Sequence, residues 1–142
     1  MELMSSLLVG VSECLFGFAM QPSADMDESE LRWRAAALDI PGAKDMRIYL
    51  STDRESAELL SMGMLHLERE QLELGLIEDV LRELLNMVGG HLKAALTIDE
   101  PLALPEIVSE EQGAVPWDAA HREHLVLCGG PVRLCVWLTR AG

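Results

Sequence analysis

Apolar positions recur along this chain with two different periods, and the switches between them outline its elements. From Glu2 to Phe18 they fall on more than one face (Leu3, Leu7, Leu8, Val11, Leu15), the pattern of a largely buried helix. Gln21 to Glu30 is polar and acidic, carries Pro22 and Ser23, and reads as a loop. Leu31 to Ile40 (LRWRAAALDI) has strand character and is closed by the turn signal Pro41-Gly42. In Asp45 to Ser51 the period drops to two, with Met46, Ile48 and Leu50 on one side, as expected of the hairpin partner of the preceding strand.

The helical period then returns. Ser51 or Thr52 offers an N-cap followed by acids in the first turn. The helix is expected to run to about Glu68, with Leu59, Leu60, Met64 and Leu67 as core contacts. A second helix starts between Glu73 and Leu76 and continues to about Leu96. Beyond it Pro101, Pro105 and Pro116 break the pattern, leaving a short strand at Leu102 to Ser109 and a loop from Glu110 to His121. The chain closes on HLVLC and VRLCVWL around Gly129-Gly130-Pro131, a strong hairpin signal because glycine takes the positive φ of a tight turn. Helices and strands without regular βαβ alternation indicate an α+β fold, read as one domain over residues 1–142 with a faint two-fold organisation too weak to establish a repeat by itself.

The most informative stretch is Ile77 to Leu96. At about 100° per residue, Val80, Leu81, Leu84, Leu85, Val88, Leu92 and Ala95 form one broad apolar arc. Asp79, Glu83, Asn86, Gly90 and Lys93 form a narrow stripe opposite, and the spacing i, i+4, i+7 stacks the first three as neighbours. Acids opposite an apolar arc are what any surface helix shows. Two features are less ordinary. Asn86 is the only asparagine in the chain and a poor mid-helix choice, because its amide competes for backbone hydrogen bonds. Gly89-Gly90 then costs roughly 1 kcal/mol per glycine relative to alanine. It marks either a kink or helix end, or a place where another backbone comes close to Asn86.

Charge narrows the partners. With 24 acidic and 11 basic residues the net charge is −13, which repels nucleic acid and anionic lipid and suits a protein that offers lysine and arginine. At 49% hydrophobic the 142-residue chain builds a core and is not a disordered tail. No apolar window is long and charge-free enough for a membrane span. The apolar run Leu7 to Met20 lacks a basic flank and is interrupted by Glu13, so it does not read as a secretion signal, and a cytoplasmic address is expected. Cys14, Cys128 and Cys135 are too few and odd in number for a disulfide framework and read as buried thiols.

Asp79-x3-Glu83-x2-Asn86 resembles the [Asp/Ser]-x3-Glu-x2-Asn pattern of the CheC/CheX/FliY chemotaxis phosphatases, and Asn86-Met-Val-Gly-Gly90-His-Leu-Lys93 is similar to that family's Asn-x2-Ala-Gly-x2-Lys stretch. The order of elements is similar over nearly the whole chain. Gly89 and His91 depart from the commoner Ala and Asn. In the first helix Glu13 is flanked by Val9 and Phe16, so that helix carries no second site, and a single site resembles CheX more than CheC.

The resemblance implies a CheC/CheX-like pseudo-duplicated domain with helices on an antiparallel or mixed sheet. It implies a phosphatase that hydrolyses the aspartyl phosphate of a response-regulator receiver domain. Asn86 would orient the attacking water and Glu83 would pair with the receiver's lysine, both as catalytic residues. Asp79, Gly90 and Lys93 would contact the partner. The family's chemistry needs no cofactor of the phosphatase's own, since the receiver supplies Mg²⁺. Family members commonly dimerise, and the apolar strand VRLCVWL is a candidate homodimer surface.

Three other readings compete. A non-catalytic adaptor that binds a receiver or a flagellar-switch component would not need the water-orienting amide. A zinc site at His121, His124 and Cys128, with Cys135 beyond, matches no strong ligand spacing. A cysteine phosphatase is opposed by the lack of any Cys-x5-Arg loop.

Overall fold

Two hairpins build the middle of the sheet, and two short strands close its edges. The computed structural model describes residues 21–22, 28–40, 46–95, 97, 99, 101, 103–108 and 122–140. In chain order these form β1 (Gln21–Pro22), β2 (Arg34–Asp39), β3 (Met46–Thr52), α1 (Arg54–Leu65), α2 (Leu74–Ala95), β4 (Glu106–Val108), β5 (Arg122–Gly129) and β6 (Val132–Arg140). The expected first helix and the loop from Glu110 to His121 lie outside the described residues.

The sheet runs β1-β5-β6-β3-β2-β4, and every pairing is antiparallel, which resolves the mixed alternative. This order makes the faint two-fold organisation concrete. Hairpins β2–β3 and β5–β6 meet at the centre through β3 and β6, and each hairpin's outer strand takes the short strand that precedes the other hairpin. Gln21–Pro22, expected as loop, is therefore an edge strand, a position where proline's missing N–H does no harm. Gly130 turns the β5–β6 hairpin at φ 60°, as the first central residue of a II′ turn requires.

Alternation sorts the side chains onto two buried faces. Ile48, Leu50, Leu134, Val136 and Leu138 point toward the helices, with Ala36 and Leu38 beside them. Tyr49, Cys135 and Trp137 point to the other face, with Ala35, Ala37 and Val126. There the rings of Tyr49 and Trp137 stack with centroids 4.1 Å apart. The strand expected to offer a dimer surface is thus the wrong one. VRLCVWL lies in β6, paired on both edges and buried on both faces, so it has no hydrogen-bonding edge and no apolar face left to give a partner.

α1 begins one or two residues later than its sequence signals propose. Asp53, not Ser51 or Thr52, is the N-cap: its carboxylate accepts from the Ser56 N–H at 2.6 Å, while Ser51 and Thr52 are still the end of β3. Helix α1 stops at Leu65, short of Glu68, because His66 adopts a left-handed conformation (φ 55°). Its inward face is made of small residues, with Ser56, Ala57 and Ser61 buried beside Leu60. That allows close packing on β6 and α2.

α2 follows its apolar arc closely. Val80, Leu81, Leu84, Leu85, Val88 and Leu92 are all buried against the sheet, each contributing roughly 1.5–3 kcal/mol of gross burial. The helix passes unbroken through Gly89-Gly90 and ends at Ala95, so the glycines do not stop it. It lies across β2 and β4, and Arg34 of β2 pairs with Glu78 at 3.5 Å. Among the described residues no helix is long and apolar enough to cross a membrane.

Candidate functional site

Because the apolar arc of α2 faces the sheet, its polar stripe is turned outward. Asp79, Glu83 and Asn86 are exposed, one helical turn apart. Facing them is the segment that enters β4. Antiparallel pairing of Glu106, Ile107 and Val108 with Ala37, Ala36 and Ala35 draws this segment alongside α2, and Ile107 packs onto the helix-side core. Between the two runs an open groove of about 660 Å³. One wall is Asp79, Arg82, Glu83 and Asn86; the other is Leu104, Pro105, Glu106 and Ile107.

The three stripe residues are not equivalent. Asp79 forms an ion pair with Arg82, three residues on along the same helix. Glu83 makes no ion pair and Asn86 no side-chain hydrogen bond among the described residues. Glu83 therefore presents an unanswered carboxylate. Asn86 presents an amide that can donate and accept at once without titrating. Across the groove Glu106 is held by Arg47 of β3, which also reaches Asp39 at 3.5 Å, so one guanidinium ties three adjacent strands together beside the site.

Gly90 and Lys93 continue the stripe as half-buried positions but do not line the groove. A Cβ built at Gly90 would meet nothing within 4 Å, so its smallness serves no contact among the described residues. Arg82 and the whole β4 wall were missed in the sequence. The i, i+3 spacing from Asp79 could have found Arg82. Nothing in the chain order announces that residues 104–107 face it.

The zinc reading finds no support from geometry. His121 lies outside the described residues. His124 and Cys128 are four residues apart on β5, about 13 Å along an extended strand, whereas ligands of one zinc ion sit about 2 Å from it. Among the described residues no group of three or more His, Cys, Asp or Glu side chains is arranged to hold a metal ion.

Known proteins share this architecture. CheX from Desulfovibrio desulfuricans superposes with a TM-score of 0.75 at 15% identity, covering 99% of this chain and 100% of that one. CheX from Vibrio vulnificus gives a TM-score of 0.75 at 18% identity, covering 98% and 99%. A third is the CheX–CheY–BeF3–Mg complex from Borrelia burgdorferi, with a TM-score of 0.70 at 13% identity and coverage of 98% and 97%. At such identities the likeness establishes the fold. No curated protein sequence matches. The family described as Chemotaxis phosphatase CheX matches residues 34–128, the span from the first residue of β2 to the penultimate residue of β5 and so the whole of both groove walls. On that match, well over half of its length, this chain belongs to the CheX family.

Proposed function

We propose that this chain hydrolyses the aspartyl phosphate of a CheY-like receiver domain, with Glu83 and Asn86 as the working pair. The observation that carries the reading is their shared exposure. Both stand on one wall of an open groove, unengaged by the described residues, on a helix whose other face is locked into the core. Family membership and the receiver-bound relative from Borrelia burgdorferi support the choice of partner.

An acyl phosphate is hydrolysed when a water oxygen attacks phosphorus in line with the bond to the aspartate oxygen. That bond breaks, its electron pair returns to the receiver's carboxylate, and inorganic phosphate leaves. The protein's task is positioning and not covalent chemistry. Asn86 accepts a hydrogen bond from the water and donates through its amide, which holds the oxygen on line. Glu83, one turn away, pairs with the receiver's active-site lysine and sets the docking register. Asp79 is committed to Arg82 and acts in docking. Gly90 leaves room for the receiver's backbone, and Lys93 extends the contact surface. The magnesium is the receiver's, and the reaction belongs in the cytoplasm.

The test is the decay of phosphorylated receiver under catalytic amounts of this chain. Asn86→Ala is expected to slow turnover on the order of 100-fold or more, the scale of misplacing a reactant, while receiver binding survives. Unchanged decay by the variant, or binding without any turnover by the wild type, would assign the chain to the adaptor class.

A further inference from the structure

Leu104 is 90% exposed, against 38–45% for Leu65, Leu74 and Met87, the other exposed large hydrophobics described. It is not a frayed end. Pro105 follows it and restricts it to an extended backbone, Ile107 is packed into the helix-side core, and Glu106 is tied to Arg47. The side chain is thus held out into water on the groove wall opposite Glu83 and Asn86.

We infer that Leu104 is an apolar anchor for the receiver domain, buried by it when Glu83 and Asn86 reach the phosphoryl group, so that docking grips both walls of the groove. This rests on the phosphatase reading above and adds a specificity residue to it. The partner surface it fits is an apolar patch bordered by basic side chains. Three carboxylates (Asp79, Glu83, Glu106) line the groove; Arg82 answers Asp79 and Arg47 answers Glu106, so among the described residues Glu83 is the groove carboxylate left for a basic partner. The same charges argue against a second copy of this chain as occupant. Two copies meeting here would set those carboxylates against their own counterparts in a molecule of net charge −13.

The experiment uses the full chain and a CheY-type receiver that the wild type turns over, with kcat and KM measured separately. Burying one leucine is worth about a tenfold to hundredfold change in affinity, so Leu104→Asp is expected to raise KM by at least tenfold and leave kcat near wild type. Leu74→Ser, an exposed leucine outside the groove, is expected to leave both unchanged. Thermal melts of Leu104→Asp are expected to match the wild type, because the side chain touches solvent over nearly all its surface. An unchanged KM overturns the anchor, as does a fall confined to kcat. A change in oligomeric state by light scattering, with KM unmoved, overturns it in favour of self-association. Asn86→Ala separates this from the underlying reading: if that variant loses kcat while Leu104→Asp keeps its KM, only the anchor fails; if it keeps kcat, the phosphatase site itself fails.

Discussion

Removing the Asp53 side chain should weaken the fold by an amount that its two jobs make calculable. One carboxylate oxygen caps α1 through the Ser56 N–H at 2.6 Å. The other accepts from Arg133 of β6 through Nη2 at 2.9 Å and Nε at 3.1 Å. The seam is completed by the Arg133 N–H donating to Ser56 Oγ at 2.9 Å and by Thr52 Oγ1 donating to the Arg133 carbonyl at 2.6 Å. Loss of an N-cap costs about 1 kcal/mol. The ion pair is partly exposed, with 33% of the Arg133 side chain and 16% of the Asp53 side chain accessible, so solvent screening holds it to about 1 kcal/mol. Asp53→Ala should therefore cost about 2 kcal/mol. Asp53→Asn keeps the cap and loses only the charge, about 1 kcal/mol or less. With a urea slope of about 2 kcal/mol/M, the alanine variant should unfold roughly 1 M earlier than the wild type and the asparagine variant no more than about 0.5 M earlier. Equal losses for the two variants would show that the cap contributes nothing. A loss below about 0.5 kcal/mol for alanine would refute the reasoning altogether.

Gly90→Ala should raise the urea midpoint, by about 1 kcal/mol of helix propensity, because nothing lies within 4 Å of the added methyl; a lower midpoint would mean the position is packed. Leu84→Ala empties a fully buried site on α2 and should cost about 2–5 kcal/mol in the same assay; a cost under 1 kcal/mol would contradict its place in the core. Burial raises the Tyr49 phenol above its usual value, partly opposed by Arg47 and by a hydrogen bond with Thr139. Because the folded state holds this proton more tightly, the associated stability is intact below the unfolded pKa of about 10 and fades as pH rises through the folded value. Unfolding free energies measured at pH 8 and above 10 should fall more steeply for the wild type than for Tyr49→Phe, and parallel curves would exclude the effect.

The local elements were legible because they rest on near-neighbour physics. The arc of α2, the alternation in β3 and the glycine of the last turn each depend on residues a few positions apart. Local signals also explain the errors. Ser51 and Thr52 look like caps, but pairing with Cys135 and Leu134 keeps them in β3, and the cap moves to Asp53. Gln21–Pro22 looks like a loop because only its pairing with Cys128 and Leu127 makes it a strand.

For the candidate site, the sequence alone determined one wall. The spacing of Asp79, Glu83 and Asn86 places them on one helix face whatever that helix packs against, and the opposite arc dictates that the face looks outward. Tertiary structure decided the rest. The pairing of β4 with β2 brings Leu104 and Glu106 opposite Asn86, although they lie 18 and 20 residues further along the chain. The Asp79–Arg82 ion pair leaves Glu83 as the stripe carboxylate without an ion pair among the described residues, a ranking that spacing could not supply. It also decided that VRLCVWL, the most apolar strand, sits in the middle of the sheet. Hydrophobicity says that a segment must be covered, and only the fold says by what.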